Sequence, residues 1–236
     1  ATNDGGCGIA CALGVRFYDK QGESFIPVGK SLKDIHVIDM SGLHPKANKI
    51  RWTVVSDVVN PLTGPLGSAR VYARQKGADD QMIQKLDEGL VHFADVVKKQ
   101  LHRDIDKVIG AGAAGGVGAG MHAFFDVKHV SGIQFFIDLV DLKEHLDDTE
   151  FIITGEGRLD AQTLNGKVVY GIAQMAYERN IDVYAVVGQK RDDFDLKKIP
   201  LKEVIVVHEK PLEMQVIARH AESDLRIKMQ AWAFEK

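Results

Sequence analysis

The sequence has 236 residues, of which 45% are hydrophobic and 27% are charged, and its formal net charge at pH 7 is −3. This composition is typical of a globular protein, and the length allows one large domain or two smaller ones. Since the sequence shows no basic block and no apolar run of membrane-spanning length, we expect neither nucleic acid nor a membrane as a partner.

The chain begins in a glycine-rich loop that leads into a predicted helix over 7–13. Cys7 and Cys11 are four residues apart and share one face of this helix, where we expect them to serve as small buried apolar residues. This cysteine usage predicts reduced thiols and a soluble, cytoplasmic protein. Because the sequence starts inside the loop, with no strand leading into it, we also expect that the front of the protein is missing from this chain.

Periodicity and turn residues predict a series of short elements in the first part of the chain. They are a hairpin of 16–18 and 24–26, a helical turn at 31–35, a strand over 50–55, a short helix ending near Gly77 and a long amphipathic helix over 79–100. A strand at 107–109 leads into a glycine-rich run and helical turns through 125, and a further helix is predicted over 133–146.

From residue 151 the pattern becomes regular. Strands over 151–154, 183–187 and 204–207 alternate with a helix over 166–179 and a final helical region from 211 onward. This alternation predicts a parallel sheet with helices on its faces. We therefore expect an α/β protein with two α/β domains, a mixed α/β domain over 1–148 and a Rossmann-like domain with a parallel sheet, incomplete here, over 149–236.

Polar residues concentrate between the predicted strand at 151–154 and the following helix. Loops at this place lie outside the carboxyl ends of the strands, where open α/β sheets bind ligands, and a helix N-terminus favours phosphate. The residues of interest are Gly155, Glu156, Gly157, Asp160, Thr163 and Lys167. A polar connection with glycines for turns is an equally good explanation. The segment is not a P-loop, because Ala161 and Val168 stand where that motif needs Gly and Ser or Thr.

The run over 110–120 contains the pattern G-x-G-x-x-G after a predicted strand. A dinucleotide site also needs an acidic residue at the end of a second strand about 20 positions later, and neither Asp126 nor Asp138 fits, so NAD binding is disfavoured. The backbone around Gly112, Gly115 and Gly116 could instead bind a phosphate or a carboxylate. Tight helix packing explains the run about as well.

Other loops place polar residues beside glycines or strand ends. Asp4 lies at a helix start, where capping is the default role. Asp57 and Asn60 follow a strand, where they could hold Mg²⁺ or a substrate hydroxyl, or form an Asx-turn that supports the loop. Lys76 could simply offset a helix dipole. Taken together, the loops supply the backbone donors, lysines and carboxylates that phosphoryl transfer uses.

The same loops carry a resemblance to the glycerate kinases of the type that includes the bacterial glycerate 2-kinases. The matching segments, in the family's order, are ATNDGGCGIACALG at 1–14, SDVVNPLTGPLGSARVYARQKGA at 56–78, GAGAAGGVGAG at 110–120 and ITGEGRLDAQTLNGK at 153–167. Ser56 stands where Cys is expected and Arg74 where Pro is common. The family's chains also carry an N-terminal portion that this sequence lacks, so we expect little or no activity if this is the whole molecule.

The resemblance implies transfer of the ATP γ-phosphoryl group to D-glycerate with Mg²⁺, giving 2-phosphoglycerate and ADP, in a cleft between two α/β domains. Chemistry then suggests roles for the marked positions. The predicted catalytic residues are Asp4, Asp57, Asn60 and Lys76; the phosphate-binding residues are Gly112, Gly115, Gly116, Gly155, Gly157, Thr163 and Lys167; and the metal ligands are Glu156 and Asp160.

A second hypothesis belongs to a different class. The chain would be a non-catalytic ligand-binding or regulatory module that keeps the loops without the chemistry, with a small molecule as its partner. Binding of glycerate and Mg-ATP without turnover would favour this hypothesis over the kinase.

Overall fold

The computed structural model describes residues 2–210, 212 and 214–235. The chain divides into two compact units, one that runs through Val130 and one that starts at Ser131. Residues 131–148, which the sequence analysis placed in the first domain, are therefore grouped with the second unit.

The first unit is a mixed α/β structure with two small sheets. Its helices are α1 (Cys7–Ala12), α2 (Ser68–Tyr72), α3 (Asp80–Leu101) and α4 (Ala113–Phe124), and its strands are β1 (Arg16–Tyr18), β2 (Ser24–Phe25), β3 (Val37–Asp39), β4 (Trp52–Val55) and β5 (Val127–Val130). The order β2-β1-β3 forms an antiparallel sheet, whereas β4 and β5 form a parallel pair. Short 3₁₀ helices cover Gly29–Asp34 and Arg74–Lys76.

The long helix α3 organises the core of this unit. Asp79 caps its N-terminus by accepting a hydrogen bond from the Met82 N–H at 2.8 Å. Residues at helical spacing, among them Leu90, Phe93 and Val97, are fully buried in one cluster with Phe17 and other side chains of the unit. The amphipathic pattern read from the sequence is thus confirmed, because the burial of this apolar face stabilises the helix more than its local propensity does.

The second unit contains the parallel sheet that the sequence predicts. Its strands are β6 (Phe151–Leu159), β7 (Asp182–Lys190) and β8 (Glu203–Val206), and its helices are α5 (Gly132–Leu139), α6 (Val168–Tyr177) and α7 (Met214–Glu235). All neighbouring strands in the order β6-β7-β8 are parallel. Buried Val169, Ala173, Ala185 and Val187 form an apolar cluster of this unit with Leu159.

Three expectations from the sequence are wrong in detail. Residues 107–109 form turns and a bend, because a lysine followed by only two apolar residues carries no reliable period. The predicted helix over 133–146 is interrupted at Asp141, whose φ of 48° lies in the left-handed region. Strand β6 continues to Leu159, so the polar segment from Gly155 to Arg158 is strand and not loop.

Glycines in β6 make its close pairing with β7 possible. Gly155 pairs with Val186, and a Cβ atom on Gly155 would lie 2.5 Å from the Val186 carbonyl oxygen. A Cβ on Gly157, two residues along the same strand, would meet nothing within 4 Å. The two glycines therefore have different reasons to be present, and only the first is required by packing.

Among the described helices, none is long and apolar enough to cross a membrane.

The matched variants Gly155→Ala and Gly157→Ala should separate these two roles. Gly155→Ala pushes a methyl group into the β7 backbone, so its free energy of unfolding should fall by about 1–3 kcal/mol. Gly157→Ala should leave stability unchanged or raise it by up to ~1 kcal/mol, because alanine restricts the unfolded chain. Urea denaturation monitored by circular dichroism measures both values. Equal unfolding midpoints for the two variants would contradict the packing argument.

Candidate functional site

At the carboxyl end of β6, a buried threonine links two carboxylate-bearing residues. Thr163 is fully buried, and its Oγ1 donates a hydrogen bond to Glu156 Oε1 while it accepts one from the Asp160 backbone N–H at 3.2 Å. The 3₁₀ helix Ala161–Asn165 holds Thr163 in this place. Three of the predicted site residues are thus brought together by one hydroxyl group.

Two cations flank the carboxylate of Asp160, a buried residue whose side chain is 9% exposed. Arg158 Nε donates to Oδ2 at 3.0 Å, and Lys167 Nζ lies 3.9 Å from Oδ1. Lys167 also occupies the N-cap position of α6. A buried carboxylate needs such compensation, and here it fixes a guanidinium and an ammonium group beside the end of the strand.

The carboxyl ends of all three parallel strands border open cavities. One cavity of about 390 Å³ is lined by Arg158, Asp160, Arg191, Asp193 and Lys198, among other residues. A second cavity, of about 410 Å³, shares Arg158, Arg191 and Asp193 and extends to His208, Glu209 and Lys210 beyond β8. This is the edge at which open parallel sheets bind ligands.

Sequence reasoning missed the part of this edge that follows β7 and β8. Arg191 directly follows β7, its backbone N–H donates to the Leu159 carbonyl at 3.1 Å, and its side chain binds the Asp193 carboxylate. Through this hydrogen bond Arg191 lowers the pKa of Asp193. The signal that could have revealed both residues is their position after a predicted parallel strand, the same rule that located Glu156.

The donors at the end of β6 suit Mg²⁺ only if a ligand contributes further oxygen atoms. Within the described part of the chain, no group of three or more His, Cys, Asp or Glu residues is arranged to hold a metal ion. Glu156 and Asp160 supply two carboxylates, which matches the way Mg²⁺ uses one or two carboxylates together with phosphate oxygens and water. The residues therefore fit a phosphate-bound Mg²⁺ and not a metal cage made by protein alone.

In the first unit, Asp4 acts as a cap at the start of α1. Its Oδ1 and Oδ2 accept hydrogen bonds from the Gly6 and Gly8 backbone N–H groups, both at 3.1 Å. Cys7 is buried directly beyond this turn, and its burial raises the pKa of the thiol, with the Asp4 carboxylate adding to the shift. The capping role expected by default is thus present, as is the expected burial of Cys7.

The glycine-rich run packs against the beginning of the chain, backbone to backbone. Ala114, Gly115 and Gly116 all have left-handed dihedral angles, which interrupts the helical run in α4. The Gly5 N–H donates to the Gly115 carbonyl at 3.1 Å, and a Cβ on Gly120 would lie 2.1 Å from the Gly5 carbonyl oxygen. Tight packing, one of the two explanations left open by the sequence, therefore accounts for these glycines.

The other predicted residues of this unit lie in loops or at the end of a short helix. Lys76 Nζ donates to the carbonyl of Thr2, two residues before Asp4 in the chain, at 2.7 Å. The Asn60 side chain accepts from the Tyr72 hydroxyl and donates to the Leu66 carbonyl, both at 2.8 Å, and its own carbonyl accepts from the Gly112 N–H. Asp57 is exposed just after β4.

Two further carboxylates, which sequence reasoning did not select, hold the loop that follows Asn60. Asp106 accepts hydrogen bonds from both the backbone N–H and the hydroxyl of Thr63, at 3.1 and 2.7 Å. Asp87, which is 7% exposed, accepts from the Gly64 N–H and forms an ion pair with Arg70 at 3.2 Å. Both carboxylates order the loop, so a catalytic role is not needed to explain their presence.

The predicted site residues thus form two groups, each inside one unit. Asp4, Lys76 and Gly115 surround the first residues of the chain, with Asn60 and Gly112 joined by a backbone hydrogen bond. Glu156, Asp160, Thr163 and Lys167 form the second group at the end of β6. Residues 102–112 contain turns and a bend and no strand, so the strand that the dinucleotide pattern needs before the glycine-rich run is not present in this range.

Comparison with known proteins identifies relatives of the whole chain. The model of the glycerate kinase family matches residues 1–233. The chain is 43% identical over 188 residues to "Glycerate kinase" of Halalkalibacterium halodurans, covering 80% of this chain and 50% of the relative. It is 44% identical over 193 residues to "Glycerate 2-kinase" of Escherichia coli K12, covering 82% and 51%. The chain therefore spans about half the length of the curated relatives it matches.

A solved structure shows the same architecture. It is the crystal structure of a "putative glycerate kinase 2" from Salmonella typhimurium LT2, which matches with a TM-score of 0.77 and 35% sequence identity. The match covers 99% of this chain and 62% of that chain. The mixed α/β fold predicted from the sequence agrees with this neighbour.

The bridging role of Thr163 can be tested with two variants of similar size. Thr163→Val keeps the shape but leaves the buried Asp160 N–H without its acceptor, so the free energy of unfolding should fall by about 1–3 kcal/mol. Thr163→Ser keeps the hydroxyl and removes one methyl group, which should cost about 0.8 kcal/mol. Thermal and urea unfolding give the two values. A valine variant more stable than the serine variant would show that the hydroxyl bridge is unimportant.

Proposed function

This chain belongs to the glycerate kinase family, and we propose that the protein transfers the γ-phosphoryl group of ATP to D-glycerate, giving 2-phosphoglycerate and ADP. In this reaction a glycerate hydroxyl oxygen bonds to the γ-phosphorus, the bond from that phosphorus to the β,γ-bridging oxygen breaks, and the hydroxyl proton is released. The proposal rests on family membership and on the cluster of Glu156, Asp160, Thr163 and Lys167 at the edge of a parallel sheet.

We assign binding of the nucleotide phosphates to the end of β6. Lys167 and Arg158 supply positive charge there, and the hydrogen bond from Arg158 to Asp160 reduces the side-chain freedom that Arg158 loses when a phosphate binds. The backbone at Gly157 is open to close approach, since a Cβ there would meet nothing within 4 Å. Fixed cations beside an exposed backbone favour the charge of a transferring phosphoryl group.

Glu156 and Asp160 are the residues that would hold Mg²⁺ together with phosphate oxygens. When bound, the ion neutralises charge on the phosphates and orients them. The Thr163 hydroxyl fixes the Glu156 carboxylate by a hydrogen bond to Oε1 and accepts one from the Asp160 backbone N–H. The protein's own contribution is thus to place two carboxylates and two cations in one arrangement before any ligand arrives.

We assign recognition of the acceptor to the first unit. Lys76 places an ammonium group on the Thr2 carbonyl, and Asn60 is held by Tyr72 and Leu66 in the loop after β4. We propose Asp57, an exposed carboxylate that follows β4 in the same loop as Asn60, as the base that accepts the hydroxyl proton.

The reaction can be measured directly. The protein is incubated with Mg-ATP and D-glycerate, and ADP release is followed by a coupled assay, with enolase added to report 2-phosphoglycerate. We expect glycerate-dependent ADP release and immediate consumption of the product by enolase. Product that enolase consumes only after a phosphoglycerate mutase is added would be 3-phosphoglycerate and would correct the position of transfer. Binding of both substrates without turnover would support a non-catalytic module instead.

Lys167→Met should weaken the use of ATP. Removal of a charged hydrogen-bond donor to phosphate costs roughly 1.5–3 kcal/mol, so kcat/KM for ATP should fall about tenfold to a hundredfold. Lys143→Met, which removes an exposed lysine from the same unit, is the matched control and should behave like the unchanged protein. Equal kinetics for the two variants would argue against the assignment of phosphate binding to Lys167.

A further inference from the structure

The side-chain amide of Asn3 is buried and makes no hydrogen bond with any described residue. It is 9% exposed, and both its Oδ1 and its Nδ2 are shielded from water without a hydrogen-bond partner among the described residues. Buried side-chain amides normally have partners, because burial removes the hydrogen bonds that water would make. An amide left with both a free donor and a free acceptor therefore needs a physical explanation.

Packing does not supply that explanation, although it fixes the position of Asn3. A Cβ on Gly115 would lie 2.9 Å from the Asn3 Cα, and a Cβ on Gly29 would lie 3.2 Å from the Asn3 carbonyl oxygen. Two glycines thus confine the backbone of this residue from different sides. A leucine of similar size would fill the same space without an unmet donor and acceptor.

The ammonium group of Lys76 contacts the peptide group that precedes Asn3. Lys76 Nζ donates to the carbonyl of Thr2, the peptide group that joins Thr2 to Asn3, at 2.7 Å. The Lys76 side chain is exposed and Thr2 is exposed, so this contact can be exchanged for one with a ligand. The Lys76 ammonium group is thus one peptide group away from Asn3, whose buried side chain offers a neutral donor and a neutral acceptor.

A small hydroxy acid has the complementary groups. Its carboxylate pairs with an ammonium group, and its hydroxyl both donates and accepts, as does a carboxamide. A phosphate would satisfy the Lys76 ammonium and the Asn3 Nδ2 but would leave the Asn3 Oδ1 without a donor. The pairing of donors and acceptors therefore favours a hydroxy acid over a second phosphate.

We propose that Asn3 is a binding residue for the acceptor, with its carboxamide on a hydroxyl of the hydroxy acid and Lys76 on its carboxylate. This inference rests on the proposed function and adds a residue that sequence reasoning passed over. In this proposal Lys76 exchanges its contact with the Thr2 carbonyl for one with the ligand carboxylate. The unpartnered state of Asn3 belongs to the free protein and ends when the acceptor arrives.

The variant Asn3→Leu distinguishes this role from a structural one. In the free protein it should leave Tm unchanged or raise it, because it removes an unsatisfied buried amide. At the same time it should raise KM for D-glycerate at least tenfold, leave KM for ATP within twofold, and abolish the rise of Tm that D-glycerate produces. Asn3→Ala provides the same kinetic readout should the leucine variant fail to fold.

Gln100→Leu is the matched control, since the Gln100 amide is fully partnered. Its Oε1 accepts from the Ile38 N–H at 2.9 Å and its Nε2 donates to the His36 carbonyl at 2.8 Å. This control should lower Tm and leave KM for D-glycerate unchanged. If Asn3→Leu behaves in the same way, Asn3 has a structural role and the inference is overturned.

Propionate has a carboxylate but no hydroxyl group. Its binding therefore tests the Lys76 contact with the carboxylate separately from the Asn3 contact with the hydroxyl. The unchanged protein and Asn3→Leu should bind propionate equally, whereas Lys76→Met should lose it, as judged by calorimetry. An effect of Asn3→Leu on propionate binding would contradict the assignment of Asn3 to the hydroxyl. If the unchanged protein shows no glycerate-dependent turnover, the proposed function fails; turnover with a normal KM in both Asn3 variants overturns this inference alone.

Discussion

The first unit depends on a contact between two backbones that lie more than a hundred residues apart. A Cβ on Gly120 would lie 2.1 Å from the Gly5 carbonyl oxygen and 2.9 Å from the Gly6 Cα, and a Cβ on Gly115 would lie 2.1 Å from the Thr2 carbonyl oxygen. The hydrogen bond from the Gly5 N–H to the Gly115 carbonyl holds the contact in register. Because α1 starts directly after this contact, the same constraint positions its cap, the neighbouring Asn3 and the carbonyl that Lys76 binds.

In the second unit, ion pairs and not close backbone packing position the candidate site residues. Asp160 is buried at the end of a parallel strand, and the cost of burying its carboxylate is offset by ion pairs with Arg158 and Lys167. The cations are thereby oriented before any ligand binds. A sheet edge of this kind supplies both the opening in which a ligand fits and the fixed charges that recognise phosphate.

Periodic segments were predictable from the sequence because one physical effect dominates them. The apolar face of α3 and the alternation of strands and helices after residue 151 both reflect burial against a large core. The extension of β6 through Gly155 and Gly157 was not predictable, since pairing with β7 overrides the low strand propensity of glycine. Arg191 and Asn3 were missed for another reason: the local sequence does not show which polar groups the folded chain leaves near a strand end or without a partner.

The burial of Cys7 at the start of α1 has a consequence for its oxidation. Peroxide and other electrophiles attack the thiolate form of cysteine, and burial together with the Asp4 carboxylate raises the pKa of Cys7, so this sulfur stays protonated. Cys7 is also fully buried in the hydrophobic cluster of the first unit, so an added oxygen atom would have to fit among closely packed apolar side chains. The thiol at the start of α1 is therefore protected from oxidation by the same core packing that a sulfenic acid would disrupt.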